Sequence, residues 1–212
     1  MQSFSYKAKA ELCRTAVQRL CCARAECYGV LLYCNTFTMQ EVRIITENPE
    51  FAARLPRLFH RAFNVKFDRL PTEEAPGSKL IFQITDPEKL RRIMDTLGYD
   101  PRQSLVLHVN FAMLEEDCCR MSFLRGAFLA GGSVTDPEKR YHLELSTSHV
   151  QASREVSALL QEMGFLPRSV MRGGSAVIYF KQSEHIEDLL TTLGAPVAAT
   201  EIMTAKVDKE IR

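Results

Sequence analysis

Along the chain the apolar positions change period several times, and each change marks an element. Cys21–Cys34 and Cys118–Ala130 are apolar on nearly every side, which predicts two buried helices rather than surface ones. Met39–Thr46 and Tyr141–Thr147 follow them and read as strands. In Pro49–Phe63 the residues Phe51, Leu55, Leu58, Phe59 and Ala62 share one helical face. His149–Met163 repeats that pattern with Val156, Leu159, Leu160 and Met163. Two strand pairs come next: Val65–Leu70 with Lys79–Thr85, and Arg168–Arg172 with Ser175–Phe180, the latter turned by Gly173-Gly174. A further helix closes on Gly98, and another on Gly194, as C-capping glycines do. An additional early strand is expected around Thr36 or Val134.

The order helix-strand-helix-strand-strand-helix therefore occurs twice, and the residues repeat with it. Asp86–Gly98 aligns with Gln182–Gly194, and Leu80–Ile84 with Ala176–Phe180, both at an offset of 96 residues. Gly29 meets Gly126 at an offset of 97. Two copies of one unit imply an α+β pseudo-dimer. It divides into 1–98 (a first repeat with an N-terminal helix), a 99–117 linker, 118–194 (a second repeat) and a 195–212 C-terminal helix. In that last segment Glu201–Arg212 reads as a charged helix. Ser122, Gly126 and Ala130 recur every four residues, and Ala25 and Gly29 do the same in the first copy. Such rows of small side chains let two helix backbones approach closely. The two apolar helices are thus expected to pack about the pseudo-twofold axis; two unrelated core helices are the alternative.

Composition narrows the function. The 212 residues carry 27 Lys+Arg against 26 Asp+Glu, a net charge of +1, and are 46% hydrophobic. That apolar fraction excludes intrinsic disorder, and no apolar run approaches the ~20 residues that span a bilayer. The charge balance disfavours a strongly basic nucleic-acid binder and leaves room for local basic patches. The seven cysteines are odd in number and follow no secretion signal, so reduced thiols are expected. There is no CxxC, and adjacent Cys21-Cys22 and Cys118-Cys119 point about 100° apart on a helix. They read as small core residues, with a structural zinc site as the minor alternative. The five histidines form no HxxxH pair, and Gly131-Gly132 and Gly173-Gly174 lack phosphate-loop spacing.

The run Phe123–Pro137 (FLRGAFLAGGSVTDP) followed by Tyr141-His-Leu-Glu144 resembles the signature of the WhiA family of bacterial sporulation and cell-division regulators. Ser3–Leu12, Cys21-Cys22 and Ala25-Glu26 resemble that family's N-terminus. The resemblance spans essentially the whole chain. It implies a fold similar to the LAGLIDADG homing endonucleases: two α/β repeats, a saddle-shaped sheet and two central packed helices. It also implies a C-terminal helix-turn-helix, which is absent from this sequence and would be the principal DNA reader. In active endonucleases of that type each central helix ends in a carboxylate that binds catalytic divalent metal. The matching positions here are Cys34 and Gly131. The resemblance thus implies a non-enzymatic scaffold without cofactor or metal. Residual metal-dependent cleavage, with Asp136 as a substitute ligand, is the alternative.

What remains is a surface. Strand alternation puts Lys79, Ile81, Gln83 and Thr85 on the saddle, with Ser175, Val177, Tyr179 and Lys181 on the partner strand. Arg43, Arg69, Lys79, Arg140, Arg168, Arg172 and Lys181 are the candidate DNA contacts, opposed by Glu41, Asp68 and Glu144. The expected partners are DNA, mainly through the absent helix-turn-helix, and a regulatory protein; no membrane is involved. The expected setting is the cytoplasm, at the nucleoid. A saddle that binds only protein, or a merely solvated face, is the alternative.

Overall fold

In the computed structural model, residues 2–17, 19–72, 77–100, 102 and 106–212 are described. The part of the 99–117 connection at residues 101 and 103–105 lies outside them. Helix α1 (Phe4–Leu12) precedes a first unit of α2 (Leu20–Tyr33), β1 (Thr36–Phe37), β2 (Val42–Thr46), α3 (Pro49–Phe63), β3 (Leu80–Ile84) and α4 (Pro87–Leu97). A 3-10 turn at Phe111–Leu114 leads into the second unit. This comprises α5 (Asp117–Gly131), β4 (Gly132–Val134), β5 (Leu143–Thr147), α6 (Val150–Glu162), β6 (Arg168–Arg172), β7 (Ser175–Phe180) and α7 (Ser183–Leu193). Helix α8 (Pro196–Ile211) ends the chain. Both early strands exist, as β1 and β4.

Local chemistry sets these boundaries. Asn48 caps α3 by accepting the amides of Glu50 and Phe51, Pro49 occupies the first turn, and Asn64 closes the helix in the left-handed region. Asp86 caps α4 through the Lys89 amide, and Gly98 ends it at φ 83°. Two expectations need correction. The strand expected at Val65–Leu70 is reduced to a single bridge between Arg69 and Gln83. The amides of both Asp68 and Arg69 donate to the Gln83 carbonyl, which is the two-against-one geometry of a bulge. The Asp68 carboxylate meanwhile takes the amides of Thr85 and Asp86, at 2.7 and 2.9 Å. The last helix begins at Pro196 rather than Glu201, because Glu11 of α1 accepts the Val197 and Ala198 amides and caps it.

The strands form two antiparallel sheets, ordered β1-β2-β3 and β4-β5-β7-β6. Phe37, Val42, Ile44, Phe82 and Ile84 of the first sheet and Leu143, Leu145, Ile178 and Phe180 of the second are buried in one continuous core. Helices α2 and α5 run through its middle. A Cβ built on Gly29 would lie 1.9 Å from the Phe123 carbonyl oxygen, and one on Gly126 would lie 2.0 Å from that of Glu26. The reciprocal distances show two backbones in contact about a pseudo-twofold axis. A buried ionic knot ties the same region. Arg54 of α3 grips Glu26 of α2 through Nε (2.7 Å) and Nη2 (2.9 Å), and Arg125 of α5 reaches it through Nη1 at 3.1 Å.

Candidate functional site: the sheet saddle and the helix ends beneath it

Register decides which side chains share the face away from the core. In the first sheet Arg43 lies opposite Thr36 and Gln83, and Ile45 opposite Ile81. In the second, Glu144 lies opposite Ser133 and Tyr179, while Val177 sits between Ser146 and Val170. Arg168 faces Tyr179 and Arg172 faces Ser175 across β6 and β7. The outward set is therefore Arg43, Ile45, Ile81 and Gln83 on one sheet, and Glu144, Arg168, Val170, Arg172, Val177 and Tyr179 on the other. Val177, expected to be open, is only 2% exposed. β7 is an inner strand, so neighbouring side chains flank that residue on both sides.

Two of the three opposing acids, Glu144 and Asp68, are neutralised from within. Arg172 holds Glu144 through Nη1 at 3.2 Å and through Nη2, and His142 meets the same carboxylate at 3.0 Å. The Arg172 contact, against the pull of burial and aided by His142, keeps that carboxyl below the usual range. Burial pushes the Asp68 carboxyl up, but Lys89 at 2.6 Å and the two backbone amides outweigh it and hold it low. Arg69 reaches the Gln83 side chain at 3.3 Å. Lys181 lies over the Tyr179 ring, on which His142 stacks. Among the described residues, Arg43, Lys79, Arg140 and Arg168 take part in no ion pair. The Arg43 Nε is buried and has no hydrogen-bond partner. The seven basic candidates are thus spread over two sheets and their connections, not gathered into one patch.

Beneath the saddle the C-terminal ends of α2 and α5 meet. A Cβ on Gly131 would come within 2.7 Å of the Tyr33 carbonyl oxygen and 2.5 Å of that of Ser146. No carboxylate fits there without moving backbone. Across the axis the Cys34 thiol is buried and points at the Leu31 and Thr36 carbonyls, both at 3.3 Å. Burial pushes that thiol up to about 12, so it stays protonated. A neutral thiol and a bare glycine do not fit a hard divalent cation, which wants carboxylate and carbonyl oxygens. Asp136 is exposed in the β4–β5 turn and accepts the Glu138 amide at 3.0 Å, as a turn-initiating Asp does.

Of the small residues in the two central helices, Ala25 is fully buried and Ser122 4% exposed, its hydroxyl donating to the Cys118 carbonyl at 2.8 Å. Ala130 is half-buried and borders a cavity with Asn35 and Lys79. Two features escaped sequence reasoning. Glu26 was a lone acid in an otherwise buried helix, which signalled an ionic partner. The four cysteines at the other end of the same helices, Cys21, Cys22, Cys118 and Cys119, come together with sulfurs within 4.8 Å of one another. The two pairs lie 97 residues apart in the chain, so local ligand spacing carries no sign of them. Their offset, equal to that of Gly29 and Gly126, was the available signal.

Two α/β repeats joined through paired central helices, with antiparallel sheets forming a saddle, define the class: a LAGLIDADG-type pseudo-dimer. Residues 120–212 match the family description "WhiA LAGLIDADG-like domain". A probable cell division protein WhiA from Ruminiclostridium cellulolyticum is 32% identical over 217 residues, covering 99% of this chain and 69% of that protein. The Carboxydothermus hydrogenoformans protein of the same name is 32% identical, with the same coverage. The chain belongs to the WhiA family. Among solved structures, full-length DUF199/WhiA from Thermatoga maritima superposes with TM-score 0.76 at 18% identity, over 98% of this chain and 67% of that one. I-DmoI in complex with DNA and Mn shares the fold at TM-score 0.56 and 14% identity, over 82% of this chain and 98% of that one.

Proposed function

We propose that this chain is a non-catalytic DNA-docking domain of a transcriptional regulator of cell division. It contacts phosphates weakly through the saddle and leaves sequence reading to another element. The carrying observation is the charge arrangement. Glu144 and Asp68 are satisfied internally, while Arg43, Lys79, Arg140 and Arg168 stay uncommitted above helix ends that offer no metal-binding carboxylate. I-DmoI, which shares the fold, was solved bound to DNA, and that supports DNA as a partner.

Each phosphate neutralised contributes a slope of about −0.9 to log K against log salt, so four contacts give roughly −3 to −4. Fluorescence anisotropy with a duplex probe should show that slope. The Arg43→Ala/Arg168→Ala pair should flatten it by about 2 units. Absence of binding at low salt would sink the DNA reading. Plasmid incubated with Mg²⁺ or Mn²⁺ should stay intact; cleavage lost on Asp136→Ala would restore an enzyme. A protein-docking reading has one observation of its own. β6 is a sheet edge; Val170 and Met171 on it expose 49% and 55% of their surface, and Leu166 just before it exposes 71%.

A further inference from the structure

At the end of the central helices away from the carboxylate positions, the pseudo-twofold axis builds a second cluster. Cys21 and Cys22 begin α2, and Cys118 and Cys119 begin α5. All four sulfurs lie within 4.8 Å of one another, and all four are free thiols. Adjacent side chains diverge by about 100° around a helix axis. That divergence, which makes a single pair look unsuited to one metal, lets each pair straddle the axis and meet the other from the opposite side. Around a tetrahedral zinc with bonds of about 2.3 Å, sulfurs sit roughly 3.8 Å apart. With every sulfur within 4.8 Å of the others, the separations exceed that by at most about 1 Å, within reach of small side-chain adjustments.

The surroundings suit a thiolate site. Cys22 and Cys119 are buried, while Cys21 and Cys118 are half-buried and leave a way in. Four thiolates on one divalent ion carry a net charge of −2. Arg19, held by Glu116 at 2.7 Å, places Nη1 3.4 Å from the Cys118 sulfur. Neither α2 nor α5 has a side-chain cap at its start, so the first-turn amides of both present their positive ends there. Four soft ligands and no oxygen donor among them select zinc over magnesium or manganese.

We propose that Cys21, Cys22, Cys118 and Cys119 form a tetrahedral site for a soft divalent cation, zinc, that clasps the N-terminal ends of the two central helices. Binding displaces four thiol protons and forms four metal–sulfur bonds, with no change of oxidation state. The clasp joins the two repeats at one end as the glycine contact joins them in the middle. It is independent of whether the saddle binds DNA.

The whole chain, purified under reducing conditions and stripped of metal, is titrated with Co²⁺. One equivalent should produce the thiolate charge-transfer band and the intense visible bands of tetrahedral cobalt. Zinc should displace the cobalt, raise Tm and protect four of the seven thiols from a thiol reagent. Cys22→Ser/Cys119→Ser should lose the bands and the Tm shift, whereas Cys13→Ser should keep both. If the double variant does not fold, the cobalt spectrum and thiol count of the unaltered chain decide the matter. A weak octahedral spectrum, seven reactive thiols in excess zinc, or disulfides between the two pairs in place of thiols would overturn the proposal.

Discussion

Glu26→Ala is expected to lower unfolding free energy by about 3–5 kcal/mol, the cost of leaving buried guanidinium groups without their counter-charge. Glu26 is fully buried, and Arg54 and Arg125 are only 6% and 8% exposed. Neither arginine can swing into water without dismantling what else it holds. Arg54 Nη1 donates to the Cys13 and Thr15 carbonyls at 3.1 and 2.7 Å, and Arg125 Nε donates to the Leu193 carbonyl at 2.7 Å. The knot thus joins α2, α3 and α5 with the α1–α2 loop and the end of α7. A domain of this kind is stable by roughly 5–15 kcal/mol in total, so the variant should sit close to unfolding. Glu26→Gln, which keeps acceptor and shape but not charge, should fall between the two. Glu50→Ala removes an exposed ion pair to Arg14 at 3.5 Å and should change stability by less than about 0.5 kcal/mol. Urea midpoints at constant slope measure all three. A Glu26→Ala loss no larger than that of Glu50→Ala would show that the knot is not what binds the repeats.

Much of this architecture was written in local periodicity, because each repeat is built from short-range signals. Pro49–Phe63 begins and ends where its Asn48 cap, Pro49 and helical apolar stripe place it. Arg168–Arg172 and Ser175–Phe180 are fixed by the Gly173-Gly174 turn between them. The failures share a cause: a distant group took over a local one. Val65–Leu70 alternates like a strand, but the Asp68 side chain captured the amides of Thr85 and Asp86 and left a bulge. The start of α8 depends on Glu11, nearly the whole chain away. For the same reason alternation put Val177 on the correct face yet could not show that it is covered. At the helix ends, sequence supplied the identities of Cys34 and Gly131 but not the carbonyls packed around them. The cysteine cluster is the extreme case, since its two halves meet only through the pseudo-twofold axis.

That axis makes the second large prediction. In a helix interior Ala is normally favoured over Gly by about 0.5–1 kcal/mol, because Gly loses more backbone freedom on folding. At Gly29 and Gly126 the sign should reverse. The Cβ of Gly29→Ala would stand 1.9 Å from the Phe123 carbonyl oxygen and 2.7 Å from the Ala127 nitrogen. That of Gly126→Ala would stand 2.0 Å from the Glu26 carbonyl oxygen and 3.0 Å from the Val30 nitrogen. These neighbours are backbone, so no rotamer change relieves the clash, and the helices must separate by about 1 Å or more. Separation opens the packing on both sides of the seam and stretches the Glu26–Arg125 contact. Overpacking a fixed core costs 1–3 kcal/mol and occasionally more; here each single variant is expected at about 3 kcal/mol or above. The double variant should fail to fold cooperatively. Gly174→Ala, in a turn with open space around it, should be near neutral. Thermal and urea unfolding of the three single variants test the point. If Gly29→Ala and Gly126→Ala match Gly174→Ala in stability, the central helices do not hold the close contact that makes the two repeats one body.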